Sequence, residues 1–211
     1  MELNINRVST HMSAYSISSK IHVRLSISVV FLVSAILCGC ASGGNSYNKT
    51  SEEFKEVKRQ SKFGDVEAKY SLGEMYYKGE GVVQNYRKAA RWYSLAAKRG
   101  HAKAQYSLGV MYYKGEAFEQ DYKKAAEWYR KAALQEVAWA AYNLGEMYDK
   151  GEGVLQDKIT ANMWLLVAGV NGLKEARSRR GLIAKNMIAE EIEKSKERAR
   201  NCILSDYTNC D

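Results

Sequence analysis

The stretch AKYSLGEMYYKGEGV, which begins at Ala68, returns twice along the chain in altered form. It reads AQYSLGVMYYKGEAF from Ala104 and AAYNLGEMYDKGEGV from Ala140, so the period is 36 residues. A fixed period of roughly 20 to 50 residues is typical of a solenoid, in which each repeat buries its apolar face against its neighbours. Solenoids present extended binding surfaces, so we expect the function to lie on a surface rather than in a catalytic pocket.

Each repeat is predicted to fold into two helices. Ala68, Leu72 and Tyr76 fall four residues apart and would share one helical face. The first helices are expected to run from near Val66, His101 and Val137 to Lys78, Lys114 and Lys150. A glycine-rich turn follows, and a short polar residue then caps the second helix. These capping residues are Asn85, Asp121 and Asp157.

Glycine recurs inside the first helices at the same period. The positions are Gly73, Gly109, Gly145 and Gly181. A glycine within a helix costs about 1 kcal/mol relative to alanine, so its recurrence predicts a close helix approach at which a side chain would collide. Trp92 is likewise expected to pack between the small residues Ala89 and Ala96 of the second helix.

These residues resemble the SEL-one-like repeat, a relative of the tetratricopeptide repeat. That family's pattern is roughly Ala-x-Tyr-x-Leu-Gly-x-x-Tyr, then Gly-x-Gly-Val, Asp-Tyr-x-Lys-Ala and Trp-Tyr-x-Lys-Ala-Ala. Repeat one matches it at Ala68, Tyr70, Leu72, Gly73, Tyr76, Gly79, Gly81, Val82, Tyr86, Lys88, Ala89, Trp92, Tyr93, Ala96 and Ala97. The resemblance implies an all-α fold, a right-handed superhelix of paired helices, and a non-enzymatic protein-interaction scaffold without a cofactor.

The chain divides accordingly. Residues 1–39 are expected to be a lipoprotein-type signal peptide, 40–50 a flexible tether and 51–64 an N-terminal capping helix. The repeats would be 65–100, 101–136 and 137–172. Residues 173–211 would form a degenerate fourth repeat and a C-terminal capping helix.

The leader points to export. Its apolar run from Leu25 to Leu37 is shorter than the roughly 20 residues that span a bilayer, and it suits a signal peptide. The residues from Leu37 to Cys40 resemble a bacterial lipobox, which implies lipid attachment at Cys40. An ordinary signal peptide and an uncleaved anchor are the alternatives, and the true start is Met1 or Met12.

The likeness to bacterial lipoproteins also implies a location. Ala41 and Ser42 follow Cys40 where an aspartate would resemble an inner-membrane retention signal, so we expect a lipid anchor in the outer membrane, facing the periplasm. An oxidising periplasm permits a disulfide between Cys202 and Cys210. Two free buried cysteines are the alternative.

The candidate binding residues follow from the resemblance. In tetratricopeptide-type folds the first helix of each pair lines the concave face, and residues recurring there without a packing role would face a groove. They are Tyr70, Tyr106 and Tyr142; Ser107 and Asn143; Tyr77 and Tyr113; and Lys78, Lys114 and Lys150. The tyrosines also suit packing, because phenol rings are readily buried.

Trp139 stands out by comparison with its equivalents. The other units carry Glu67, Lys103 and Glu175 at that position, which indicates a solvent-facing site. An exposed tryptophan there is a candidate anchor, since Trp, Tyr and Arg dominate binding hot spots. The alternative is that Trp139 fills space at a changed helix joint beside Glu136, where the other repeats have glycine.

Other function classes find less support. His101 is the single histidine after the leader, and there is no paired-histidine metal motif or Gly-x-Ser-x-Gly elbow. Some cysteine-rich relatives of the repeat family have been linked to β-lactam binding, and Ser46 and Lys49 have the Ser-x-x-Lys spacing. The net charge of +8 and the cluster Arg177, Arg179 and Arg180 allow binding to peptidoglycan or anionic lipid. The export signal argues against nucleic acid, so the expected partner is an envelope protein or peptide.

Overall fold

The computed structural model describes residues 46–210, which form nine α-helices and no strands. In chain order they are α1 (Ser46–Lys62), α2 (Val66–Lys78), α3 (Tyr86–Ala97), α4 (Ala102–Lys114), α5 (Tyr122–Ala133), α6 (Ala138–Lys150), α7 (Lys158–Val170), α8 (Lys174–Ala184) and α9 (Ala189–Leu204). The predicted all-α repeat fold is confirmed. Helix α1 begins at Ser46 rather than at 51, because no glycine or proline stands between Gly44 and Lys62.

The turn within each repeat is built by the same hydrogen bonds. Asn85 and Asp121 accept the backbone N–H groups of Lys88 and Lys124, as predicted for N-caps. Asp157 caps α7 in the same way. The preceding helices end at Gly79, Gly115 and Gly151, whose φ angles of 79°, 74° and 76° favour glycine.

The two helices of a repeat pack closely and antiparallel. A Cβ on Gly73 would lie 2.5 Å from Cε1 of Tyr93, and one on Gly109 would lie 2.6 Å from Cε1 of Tyr129. The predicted close approach at these glycines is confirmed. Trp92 packs against the core that contains Ala89 and Ala96, in line with the expectation, but it is only partly buried while Tyr93 beside it is 1% exposed. Tyr93 points toward Gly73, and that direction places its ring, and not the indole, in the core.

The repeats stack through alternating contacts. Each second helix packs against the first helix of its own repeat and against the first helix of the next. The apolar core therefore continues from one repeat to the next, with Leu72, Leu108 and Leu144 each at most 1% exposed. Stacking gives each repeat the burial that one helix pair lacks.

The joint after repeat two keeps the shape of the others. Glu136 has a φ of 62°, in the left-handed region that Gly100 and Gly172 adopt at φ 90° and 96°. Val137 N–H donates to Ala132 C=O at 3.2 Å, as His101 N–H does to Ala96 C=O. The expected change of shape at this joint is therefore wrong, because Glu136 adopts the conformation that glycine usually fills.

The C-terminal helices depart from the repeat pattern. Helices α8 and α9 both pack on α7, and α9 has few contacts with α8. Ser195 donates to Asn162 Oδ1 at 3.0 Å and Tyr207 to Asn171 Oδ1 at 2.6 Å, so α9 and the residues after it are held against α7. A disulfide joins Cys202 to Cys210. Within residues 46–210, no helix has the length and apolar character needed to cross a bilayer.

Candidate binding face

One stripe of side chains on α6 holds four of the residues of interest. Trp139, Asn143, Glu146 and Lys150 are spaced by four, three and four residues, which places them on one side of the helix. Equivalent stripes lie on α2, α4 and α8 at the 36-residue period. We call the surface that these four stripes form the first-helix face.

The floor of the first-helix face has tyrosines at the junctions between repeats. The side chain of Ser107 lies next to Tyr70 and Tyr93 of the preceding repeat, close enough to influence the pKa of both. Asn143 lies next to Tyr106 and Tyr129 in the same way. Ser107 and Asn143, predicted to bind a partner's backbone, therefore lie at the junctions between neighbouring repeats.

Burial raises the pKa of these phenols. It raises the pKa of Tyr70 to about 12, helped by the neighbouring carboxylate of Glu74. It also raises the pKa of Tyr106, although a hydrogen bond from Asn143 acts in the opposite direction. Tyrosine is uncharged at neutral pH even at its usual pKa of about 10, and burial extends the neutral form to higher pH. The floor thus offers uncharged rings, which suit contact with apolar side chains.

Repeats one and two differ at the stripe position that follows Ser71 and Ser107, where they have Glu74 and Val110. In repeat one, Glu74 accepts hydrogen bonds from Tyr93 Oη at 2.5 Å and pairs with Lys78 Nζ at 2.8 Å. Burial acts to raise the pKa of Glu74, but these hydrogen bonds outweigh it and hold the pKa below its usual range. Repeat two has Val110 there, so the face is apolar at a point where repeat one has a carboxylate network.

Tyr77 and Tyr113, predicted to bind a partner, bridge adjacent repeats. Tyr77 Oη donates to Glu116 at 2.9 Å, and Tyr113 Oη donates to Glu152 at 2.9 Å. Burial, followed by these carboxylates, raises the pKa of both tyrosines to about 12. Their hydroxyls therefore hold the repeats together, and only their ring edges remain for a ligand.

An arginine makes the equivalent bridge at the end of the face. Arg179 Nη2 donates to Asp149 at 2.7 Å, and Arg179 Nε donates to Glu146. The sequence predicts that Arg179 forms a basic surface with Arg177 and Arg180. The two carboxylates neutralise it, so it does not contribute a free positive charge to that surface.

The predicted lysines lie along the rim. Lys114 is 3.6 Å from Glu116 and Lys150 is 4.0 Å from Glu152, distances that indicate weak ion pairs. Both side chains are about half exposed. Exposed pairs of this kind contribute little to stability, so the lysines can exchange their partners for an acidic ligand.

Two clefts open on the first-helix face. The one between α4 and α6 has a volume of about 340 Å³ and brings together five of the eleven predicted residues. Its lining residues are Tyr106, Val110, Tyr113, Lys114, Tyr129, Asn143, Glu146 and Lys150. The other, of about 300 Å³, lies between α1 and α2 and includes Tyr70 and Lys78.

Trp139 lies on the same stripe of α6 as Asn143, Glu146 and Lys150, which form one wall of the α4–α6 cleft. Its side chain is 47% exposed, and its ring meets that of Tyr142 edge-on with centroids 5.6 Å apart. The contact holds the indole in place while leaving half of it open to solvent. Trp139 is thus a preoriented apolar surface, one turn of helix from Asn143.

Sequence reasoning missed several residues that build this face. Glu116 and Glu152 hold the tyrosines, and Gln84, Gln120 and Gln156 each donate to the last turn of the first helix before them. The 36-residue period was the available signal, because these residues recur in phase. Arg179 carried no such signal, since Ser71, Ser107 and Asn143 are its equivalents.

The remaining candidates are placed as follows. Cys40 lies outside the described residues. Ser46 and Lys49 fall in the first turn of α1. His101 caps α4: its Nδ1 accepts the Ala104 N–H, and its Nε2 lies 2.9 Å from Glu67. Across residues 46–210 there is no group of three or more His, Cys, Asp or Glu side chains arranged to hold a metal ion.

Antiparallel helix pairs stacked at a fixed period, with one lined face, define a helical-repeat solenoid of the kind that presents a binding surface. The model of the Sel1 repeat matches residues 66–101, 102–137 and 140–169. The chain therefore contains three consecutive Sel1 repeats, and the resemblance seen in the sequence is confirmed. Sel1 repeat proteins generally mediate protein–protein interaction and are typically non-enzymatic scaffolds.

Solved structures show the same fold. A Sel1 repeat protein from Oxalobacter formigenes is 32% identical with a TM-score of 0.57, over 60% of this chain and 52% of that one. A protective antigen of uropathogenic Escherichia coli with an SLR fold is 30% identical with a TM-score of 0.59, over 69% of this chain and 33% of that one. The chain thus spans about half and one third of these proteins. No curated protein matches it.

Proposed function

We propose that this protein is a non-enzymatic scaffold that binds a segment of a partner protein along the first-helix face. The observation that carries the proposal is the α4–α6 cleft, which has an apolar floor and two lysines at its rim. One wall of this cleft is the α6 stripe on which the exposed Trp139 also lies. A hot spot typically combines a buried pocket with an aromatic anchor beside it. The protein-interaction role of Sel1 repeats supports the same reading.

The chemistry of the cleft defines the segment that fits. Val110 and the rings of Tyr106 and Tyr129 would contact an apolar side chain of the partner. Lys114 and Lys150 would favour an acidic residue next to it, since their own ion pairs are long. The segment that fits is thus an apolar side chain flanked by carboxylates.

The location of the scaffold is part of the proposal. The lipobox-like residues before Cys40 support a lipid anchor, in the outer membrane and facing the periplasm. The partner would then be an envelope protein or peptide. Labelling of cells with a radioactive fatty acid should mark the protein and should fail in Cys40→Ala, whereas labelling of that variant would contradict the anchor.

Crosslinking tests the binding face. A photo-crosslinking amino acid at position 139 should yield a discrete adduct in cells, because this position lies beside the cleft. The same residue at position 95, where Leu95 is 40% exposed on α3, is the matched control. Adducts of equal identity and yield from both positions would contradict a specific face.

A further inference from the structure

The fourth unit of the solenoid lacks a helix that the other repeats possess. In repeats one to three, the second helix packs on the first helix of its own repeat. The last helix, α9, instead lies on α7, held there by the Ser195–Asn162 and Tyr207–Asn171 hydrogen bonds. The surface of α8 that would face a second helix is consequently left uncovered by α9.

The register of α8 locates the uncovered surface. Ala176 and Ile183 occupy the core positions of Ala68 and Met75 and are buried at 0% and 3%. Gly181 is the equivalent of Gly73 and Gly109, which lie against Tyr93 and Tyr129. A Cβ on Gly181 would meet nothing within 4 Å. The close-contact glycine is therefore present, but the side chain that should pack on it is missing.

The cleft at this place combines an apolar floor with a basic rim. It has a volume of about 540 Å³, within the range of ligand-binding clefts. Its apolar lining comes from Leu165, Leu166, Val170 and Leu173. Its rim carries Lys174, Arg177 and Arg180, and none of the three pairs with a carboxylate among residues 46–210. We call this cleft the α7–α8 slot.

One residue of the basic rim replaces a core residue of the other repeats. Arg180 stands where Leu72, Leu108 and Leu144 are buried, whereas the equivalents of Arg177 are Lys69, Gln105 and Ala141. A leucine at 180 would have suited a second helix from the same chain. The arginines indicate that what covers this surface carries negative charge, because burying an unpaired cation is strongly unfavourable.

We propose that the α7–α8 slot binds an acidic amphipathic helix of a partner protein. A helix is the shape that covers α2, α4 and α6 at the equivalent place, and helix-in-groove binding uses an apolar stripe of this kind. A large apolar side chain of the incoming helix would pack on Gly181, and its flanking carboxylates would pair with Arg177 and Arg180. This site is separate from the first-helix face and does not depend on the function proposed for it.

The chain itself does not supply this helix. The disulfide and the bonds to α7 hold α9 in its place. Residues 1–45 contain one carboxylate side chain, Glu2, so they lack the acidic character that the rim requires. The net charge of +8 also disfavours a second copy of the same chain.

Fluorescence anisotropy with designed peptides tests the proposal. The probe is a labelled helical peptide of about 18 residues with leucines at i, i+3, i+4 and i+7 and glutamates at flanking positions. The matched probe has glutamine for each glutamate. Full-length protein should bind the first about fivefold more tightly than the second, which corresponds to about 1 kcal/mol, and the difference should shrink at high salt.

Variants distinguish binding at the α7–α8 slot from a general effect of the protein's positive charge. The double variant Arg177→Gln and Arg180→Gln should bind the acidic peptide about fivefold more weakly. Lys194→Gln with Arg200→Gln removes two exposed charges from α9 and should leave binding unchanged. Gly181→Leu places a side chain on the uncovered surface of α8, next to Arg180, and should also weaken binding, while circular dichroism shows an unchanged helix content.

Three results would overturn the proposal. The first is equal affinity for the two peptides, and the second is equal weakening by both double variants. The third is binding to phosphatidylglycerol vesicles, lost in the Arg177 and Arg180 variant, without binding of the acidic peptide. That last outcome would assign the slot to an anionic lipid surface.

Discussion

At the scale of single residues, the glycines inside the first helices share one register but have different surroundings. Gly73, Gly109 and Gly145 lie where a neighbouring helix leaves no room for a side chain. Gly181 shares their register but has open space around it. A substitution to alanine should therefore have opposite effects at two positions that the sequence alone cannot distinguish.

We expect Gly109→Ala to lower the free energy of unfolding by about 1–3 kcal/mol, because the new Cβ would lie 2.6 Å from Cε1 of Tyr129. Gly181→Ala should raise it by up to about 1 kcal/mol through helix propensity. Urea unfolding followed by circular dichroism measures both. If Gly181→Ala lowered the free energy of unfolding as much as Gly109→Ala, the claim that α8 has open space beside Gly181 would be contradicted.

At the scale of helices and turns, much could be predicted from the sequence. The period located the helix pairs, and the capping residues Asn85, Asp121 and Asp157 marked the starts of the second helices. What could not be predicted was which aromatic residue of each pair enters the core. Trp92 and Tyr93 are adjacent, and only the packing angle of α2 on α3 decides that Tyr93 is buried.

The candidate site was predictable in part for the same reason. The periodic rows gave the residues of the first-helix face, since identical positions in stacked repeats must form lines. The roles of the residues within those rows were not predictable. The hydroxyls of Tyr77 and Tyr113 donate hydrogen bonds to Glu116 and Glu152 of the next repeat, so they are not available to a ligand. Those glutamates lie in turns, where a sequence pattern indicates a bend but not the direction of a side chain.

The bridges between repeats predict a dependence on alkaline pH. Folding raises the pKa of Tyr77 and Tyr113 from 10.0 to about 12 through burial and the adjacent carboxylates. Their neutral forms are therefore stabilised by folding, and this stability is fully present below pH 10.0 and is lost as the pH rises toward 12. The double variant Tyr77→Phe and Tyr113→Phe should lose less stability between pH 9 and 11 than the wild type.

Urea unfolding at those two pH values provides the measurement. The comparison of slopes matters, because lysines also titrate in this range in both proteins. An equal loss in the wild type and the double variant would contradict the role of the two phenols as neutral bridges between repeats.

At the scale of the whole molecule, the described chain is a row of three Sel1 repeats with two unlike surfaces. On the first-helix face, the side chains of Tyr77, Tyr113 and Arg179 are already hydrogen-bonded to neighbouring repeats. Two places on this face are left for a ligand. In repeat two, Val110 stands where repeat one has Glu74 and its hydrogen bonds, and on α6 the side chain of Trp139 is exposed. The α7–α8 slot opens at the C-terminal end of the solenoid, because α9 packs on α7 and leaves a surface of α8 uncovered. A repeat fold thus gains specific sites where its regularity is interrupted.

The most direct test of this account is the affinity of the partner segment recovered by crosslinking from position 139. We predict that Trp139→Ala weakens its binding by about tenfold or more, with helix content unchanged, because the indole is the exposed anchor beside the α4–α6 cleft. Leu95→Ala, which removes a comparably exposed apolar side chain from α3, should leave the affinity unchanged. Equal affinity of Trp139→Ala and wild type for that segment would contradict the assignment of the binding site to the first-helix face.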